Sequence, residues 1–182
     1  FVYHSGSDVQ PVFDAVQMVS KRVVYGEGER IFTQLVTTLD AEGADSETLG
    51  TIPGLGWKRD GAGIVNPPET ETLDLNELPF PARHLVDVSR YQHLIGEGRQ
   101  FFTMQATRGC PAACLFCDIR KTKFRERAPE NVVKEIEHLV EMGVDDLFFV
   151  DDTITINKKN VIETCELIVK RGIKLHFKIS AR

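Results

Sequence analysis

Cysteine is scarce in this sequence: four in 182 residues, three of them between Cys110 and Cys117 and none earlier. That distribution excludes the spread, paired cysteines of a secreted disulfide scaffold and points to reduced thiols in a cytoplasmic protein. Long apolar runs are missing too. Stretches such as Leu147 to Val150 fall far short of the roughly 20 residues that cross a bilayer, and the first residues lack the pattern of a signal peptide. Positive charge is in deficit, with 22 basic against 27 acidic side chains and a net charge of -5. Such a balance argues against a broad nucleic-acid surface. What remains is 42% hydrophobic, enough to bury one large core or two small ones and too much for a disordered chain.

The region from Phe1 to Gly43 reads as the end of an α/β unit. Arg22 to Tyr25 predicts a short strand and Gly26 to Glu29 a turn, after which Ile31, Phe32, Leu35, Val36 and Leu39 recur at helical spacing. Gly26 and Gly28 lack the third glycine of a dinucleotide fingerprint, so a turn and helix start is preferred to a nucleotide loop. Leu55 to Arg59 and Ile64 to Asn66 flank Asp60-Gly61-Ala62-Gly63 as a hairpin. Pro67, Pro68, Pro79 and Pro81, with the acidic stretch Glu69 to Glu77, then predict an extended connector, and the domain boundary is expected near residue 98.

Beyond it the periodicity is cleaner. Phe101 to Thr107 predicts a strand running into the cysteines. Ala128-Pro129-Glu130 opens a helix with Val132, Val133, Ile136, Leu139 and Val140 on one face, ended at Gly143. Leu147 to Val150 is a continuous apolar run, as in a parallel strand covered on both sides. A second helix carries Val161, Ile162, Cys165, Ile168 and Val169 in one stripe, closed by Gly172, and Leu175 to Ile179 predicts a third strand. The order strand-loop-helix-strand-helix-strand fits an open doubly wound sheet or part of a barrel, and in both the chemistry collects at the carboxyl ends of the strands. The cysteine loop follows the first of these strands, and Asp151-Asp152 follow the second. A chain that opens on Phe1 and stops just after a strand-like run is expected to be a piece of a longer protein.

The cysteines are spaced Cys110-x-x-x-Cys114-x-x-Cys117. Thiolates are soft ligands that suit zinc or iron-sulfur clusters. A structural zinc site closes its tetrahedron with a fourth protein ligand, and here His84, His93, His138 and Cys165 all lie away from the loop in sequence. A cubane held by three thiolates leaves one iron free to bind a small molecule, whereas a fourth thiolate would make a closed electron carrier. Cys165, within an apolar stripe, is expected to be a small core residue. Asp151 and Asp152 either cap the following turn or face a ligand. The run Arg120, Lys121, Lys123, Arg125, Arg127 reads as a solvated lead-in to the helix rather than a phosphate site.

The three-cysteine spacing, with aromatic Phe116 before the last cysteine and placed after the first strand of a βα series, resembles the signature of radical S-adenosylmethionine (radical SAM) enzymes. That resemblance implies that Cys110, Cys114 and Cys117 hold a 4Fe-4S cluster, that S-adenosylmethionine chelates its free iron, and that Phe116 lies near the adenine. It also implies a partial TIM-type (β/α)6 barrel, of which this chain contains the first units. "VVYGEGE", "DGAGIVNPP", "DLNELPFPARHL", "TRGCPAACLFC", "FRERAPENVVKEI" and "LFFVDDTITIN" are similar, in that order, to the subgroup with an amino-terminal cobalamin-binding domain. The implied division is residues 1–43 as the end of a Rossmann-like cobalamin domain, 44–98 as hairpin and proline-rich linker, and 99–182 as the start of the radical SAM barrel. Two departures stand out. Phe1-Val2-Tyr3-His4 replaces a Gly-Gly-x-His segment, and Val150-Asp151-Asp152 replaces the Gly-Gly-Glu that often holds the methionine amino group, so that the aspartates are expected either to take that role or to face substrate.

The activity implied is reductive cleavage of S-adenosylmethionine followed by radical chemistry. Cobalamin-dependent methyl transfer to an unactivated carbon is the first expectation, and oxidative cyclisation or another non-methylating outcome the second. A small-molecule or peptide substrate and an external electron donor such as flavodoxin or ferredoxin are the implied partners. No residue is assigned a catalytic role. Two readings from other classes remain beside these: a structural zinc module, whose fourth ligand would come from a distance, and a plain electron-transfer protein.

Overall fold

A computed structural model of the chain describes residues 2–4, 22–43, 47–87, 90 and 101–181. The expected boundary near residue 98, His93 and Phe1 lie outside the described residues. Contacts divide the chain into two compact units, Phe1–Leu73 and Asp74–Arg182, so the predicted connector contributes to both.

The first unit holds a four-stranded sheet in the order β1 (Val2–His4), β2 (Arg22–Tyr25), β3 (Leu55–Arg59), β4 (Ala62–Val65). β1 and β2 run parallel, and the other pairs are antiparallel. The predicted hairpin is present but tighter than expected. Asp60 and Gly61 both take positive φ, which turns the chain in two residues and lets β4 begin at Ala62. Helix α1 (Gly28–Glu42) follows β2, with Glu29 in its first turn near the positive end of the dipole. Its Ile31 and Leu35 pack with Val24, Leu49, Ile52, Leu55 and Trp57 into one core, each side chain of this kind stabilising by about 1.5–3 kcal/mol on burial. Phe32 and Val36, read with the same stripe, are exposed.

Asn66 closes that core from the polar side. Its amide group donates to the carbonyls of Leu49 (2.7 Å) and Ile52 (2.8 Å), its side-chain oxygen accepts from Trp57 Nε1 (3.1 Å), and its carbonyl accepts from the Tyr25 hydroxyl. A buried asparagine is tolerated because each of these groups finds a partner.

In the second unit, β5 (Phe101–Met104), β8 (Asp146–Phe149) and β9 (His176–Lys178) form a parallel sheet with β8 at its centre. Between β5 and β8 lie a small antiparallel pair, β6 (Thr107–Arg108) with β7 (Arg125–Glu126), and helix α2 (Pro129–Glu141). α2 starts with Pro129 in its first turn, where a missing N–H costs nothing. Val132, Ile136 and Leu139 of its buried face join Met104, Ala106, Val144, Leu147 and Phe149 in the core. Val140, expected on that face, is exposed at its rim.

Helix α3 (Lys158–Lys170) runs between β8 and β9, and Asn157 caps it by accepting from the N–H groups of Lys159 and Asn160. Its predicted stripe is only half used. Ile168 packs on the core, whereas Ile162, Cys165 and Val169 are exposed, Val169 at 78%. Cys165 is therefore not a core residue. At about 100° per residue it sits some 60° around the helix from Ile168, and Ile162 and Val169 sit some 100–120° away. The stripe was wider than the face the sheet covers. The third strand is likewise shorter than predicted, and His176, Phe177 and Lys178 are all exposed. Among the described residues no helix is long and apolar enough to cross a membrane.

Candidate functional site

The cysteines ride on a closed excursion at the carboxyl end of β5. Its neck is the β6–β7 pair, in which Thr107 faces Glu126 and Arg108 faces Arg125, extended by the Arg127 N–H donating to the Ala106 carbonyl at 2.9 Å. Residues 109–124 lie beyond the neck. Gly109 opens the loop with φ of +81°, and a Cβ there would fall 2.3 Å from the Lys123 carbonyl oxygen. Only glycine lets the two arms approach so closely.

Inside the loop Thr122 acts as a tie. Its hydroxyl accepts from the Cys110 N–H (2.8 Å) and donates to the Ile119 carbonyl (2.7 Å), and its own N–H donates to the Cys110 carbonyl at 3.0 Å. Lys121 N–H donates to the Ala112 carbonyl (2.8 Å), and Cys117 N–H to the Cys114 carbonyl (3.2 Å). None of the three cysteines is in a disulfide; Cys110 is buried and Cys114 and Cys117 are half-buried. The Cys110 Sγ lies 4.0 Å from the Thr153 hydroxyl. Phe116, at 92% exposure, and its neighbour Leu115 stand out from the tip.

The donor set of three cysteines on one short loop, none of them in a disulfide, suits an iron-sulfur cluster by its chemistry. Among the described residues no three His, Cys, Asp or Glu side chains converge to hold a single metal ion. A cubane makes a different demand, because each thiolate meets its own iron at a separate corner.

Asp151 and Asp152 both turn toward the loop. The Asp151 carboxylate, 3% exposed as a residue, accepts from the N–H of Ala106 (3.0 Å), the N–H of Thr107 and the Thr107 hydroxyl (2.6 Å). Burial pushes its carboxyl above the ordinary value, and the hydrogen bonds from Thr107 and Ala106 pull the other way without cancelling it. Asp152 Oδ2 accepts from the Gly109 N–H at 3.1 Å. Neither residue caps the turn that follows β8 with these bonds. Asn157 and Asn160, at the start of α3, also reach the neck through Glu126 Oε1 (2.7 Å) and the Arg127 carbonyl (3.1 Å).

Behind the neck sits a buried ionic triad that the sequence reading missed. Glu135 of α2 lies between Arg83 and Arg127. Arg83 Nη1 is 2.6 Å from its Oε1, off the line of a hydrogen bond, and Arg127 Nη1 bonds its Oε2. The same guanidiniums hold the strand above: Arg83 donates to the Thr103 carbonyl and Arg127 to the Gln105 carbonyl, both at 2.9 Å. Phe102 and Phe80 lie under the two cations at 5.8 and 5.6 Å. Arg127, read with the solvated basic run, is buried. The usable signal was Glu135 itself, a charge among Val132, Val133, Ile136 and Leu139, which burial permits only with a partner.

Residues 104–182, from the last residue of β5 onward and so including the parallel sheet's later strands and the three-cysteine loop, match the Radical SAM superfamily. The chain is 32% identical over 164 residues to an uncharacterized methyltransferase of Pyrococcus horikoshii, covering 88% of this chain and 34% of that protein. It is 32% identical over 165 residues to the anaerobic magnesium-protoporphyrin IX monomethyl ester cyclase of Rubrivivax gelatinosus, covering 88% and 29%. Among solved structures, the radical S-adenosylmethionine methyltransferase TsrM of Kitasatospora setae, with cobalamin and a 4Fe-4S cluster bound, is similar in fold with a TM-score of 0.62 at 23% identity, over 93% of this chain and 34% of that one. The chain spans about a third of the length of the curated relatives it matches.

Proposed function

We propose that this chain carries the cofactor-cleaving part of a cobalamin-dependent radical SAM enzyme that transfers a methyl group to an unactivated carbon. The observation that carries the reading is the loop itself: three cysteines outside any disulfide, one buried and two half-buried, on a loop tied at its neck and across its base. In this reading Cys110, Cys114 and Cys117 bind a 4Fe-4S cluster as thiolates, and the exposed ring of Phe116 packs on the adenine of S-adenosylmethionine. The chemistry supplied by that cofactor pair when bound is one-electron cleavage of a carbon-sulfur bond to give a 5'-deoxyadenosyl radical.

The protein's share is to present the thiols in fixed directions and to hold the nucleotide away from water. In this reading residues 99–182, within the second unit, are the start of a (β/α)6 barrel, and residues 1–43, within the first, are the end of a Rossmann-like cobalamin domain; residues 44–98, the hairpin and proline-rich linker, fall partly in each unit. The bound cofactors of TsrM support this assignment. The substrate is a small molecule or peptide, and the electron comes from a carrier such as flavodoxin or ferredoxin.

A second reading, ring closure without methyl transfer, is favoured by the similarity to the monomethyl ester cyclase. Anaerobic reconstitution of the protein with iron and sulfide, followed by assay of 5'-deoxyadenosine and S-adenosylhomocysteine, tests both. Methyl transfer predicts both products, and cyclisation only the first. Zinc in place of iron, or a cluster that leaves S-adenosylmethionine intact, would overturn the proposal in favour of a zinc module or an electron carrier.

A further inference from the structure

Two carboxylates just past the carboxyl end of a parallel strand stand where ligands bind in such sheets. Here their hydrogen bonds run sideways, to the exit of the neighbouring strand. Asp151 Oδ1 already takes three donors, from Ala106 N–H and from the N–H and hydroxyl of Thr107. Its other oxygen lies 3.3 Å from the same Ala106 N–H. An ammonium group would have to displace these bonds inside a buried site.

Asp152 reaches two residues further along the loop, to the N–H of Gly109. That N–H sits at a positive-φ residue that has left the β6–β7 pairing, so it needs an acceptor from elsewhere. Thr153 reaches one residue further again: its hydroxyl donates to the Asp152 carbonyl (2.6 Å) and lies 4.0 Å from the Cys110 sulfur. Three consecutive residues after β8 thus address three successive points of the path from β5 to the first cysteine. A backbone bond from the Val150 N–H to the Met104 carbonyl (2.9 Å) carries the parallel pairing one residue past β8, and the side chains of the next three residues continue the connection beyond it.

We propose that Asp151 and Asp152 are positioning residues that set the path of the cysteine loop by binding its backbone N–H groups, and that they do not hold the methionine part of the nucleotide. The inference rests on the reading of the loop as a cluster site, but the contacts are present in the chain alone.

The test compares Asp152→Asn, which keeps an acceptor for Gly109, with Asp152→Ala, which does not. Amide hydrogen exchange is measured on the protein before reconstitution. Iron per chain and the shift of the reduced-cluster spectrum with added S-adenosylmethionine are measured afterward. Asp152→Ala should speed exchange at Gly109 by about tenfold, as expected for one lost bond to a charged acceptor, and should lower iron per chain. Asp152→Asn should match the parent protein in all three readouts.

The proposal is overturned if both variants keep normal exchange and iron yet weaken the response to S-adenosylmethionine, because the carboxylate would then bind the nucleotide. Normal values of all three readouts in Asp152→Ala would overturn it as well. Asp151→Asn and Asp151→Ala repeat the comparison at Ala106 and Thr107. Should Asp151→Ala fail to fold, the Asp152 pair decides alone. Failure of the parent protein to take up iron would instead overturn the cluster reading, and the exchange rates would still judge the two aspartates.

Discussion

Replacing Glu135 by leucine should destabilise the second unit far more than loss of one surface charge could. The carboxylate is shared by Arg83 and Arg127, and the side chains of all three are buried. Removing one member of a buried ion pair costs about 3–5 kcal/mol, chiefly from the charge left without a counterion. Here two guanidiniums would be stranded. Each keeps a carbonyl partner, at Thr103 and Gln105 respectively, which holds the total to about 4 kcal/mol. Against a whole stability of about 5–15 kcal/mol that loss is severe, and for a unit of this size it corresponds to a fall in Tm of about 15 °C. Urea unfolding followed by circular dichroism would measure it. The triple change Arg83→Met, Glu135→Leu, Arg127→Met removes every charge at once and should recover most of the loss, because ionic desolvation is no longer paid. A cost below about 1 kcal/mol for Glu135→Leu, or a triple variant no more stable than the single one, would refute the reasoning.

Three further outcomes follow from the loop and its supports. Alanine at Cys110, Cys114 or Cys117 should abolish iron retention after anaerobic reconstitution, while Cys165→Ala, at an exposed site, should change neither iron content nor Tm; equal damage from all four would contradict the ligand set. Gly109→Ala should perturb iron binding at least as much as loss of one cysteine, since its Cβ would meet the Lys123 carbonyl at 2.3 Å, and normal iron per chain in that variant would show that the arms can part without consequence. Asp151 should give a specific pH dependence. Its folded pKa is raised, so the folded state holds the proton more tightly than the unfolded one, and stability falls as pH climbs from the unfolded value of about 3.9 through the raised folded value, then levels off. Asp151→Asn removes that slope, so the stability of the parent relative to the variant should decline over this window in urea titrations, and a difference that rises with pH would show the sign to be wrong.

Much of this arrangement was legible in the sequence, for reasons that differ from element to element. α1 and α2 declared themselves because their apolar residues recur at helical spacing, and β2 and β8 because each holds a short continuous apolar run, as in strands covered on both sides. The Asp60-Gly61 turn was legible from its chemistry, although Ala62 and Gly63 were assigned to the turn when they belong to β4. α3 was read as a helix correctly, but its apolar stripe gave no sign of which part would be covered, since a stripe reports what can be buried and the neighbours determine what is. The cysteine loop was conspicuous from spacing alone. Its supports were not: Asp151 with Thr107, Asp152 with Gly109, and Glu135 with Arg83 join residues far apart in the chain, and no local pattern encodes such partners. Thr122 could have been suspected only from its place in a loop that needs hydroxyl ties.

The buried triad also constrains how the molecule can be shortened. Arg83 grips the Thr103 carbonyl, and Asn76 accepts from the Ala128 N–H at the start of α2. A truncated version beginning at Phe101, where the parallel sheet starts, would discard both partners along with Phe80, and would expose Glu135 and Arg127 to water. The smallest autonomous piece bearing the cysteines should therefore begin near Asp74, and the proline-rich stretch ahead of the sheet is better regarded as a structural strap than as a spacer.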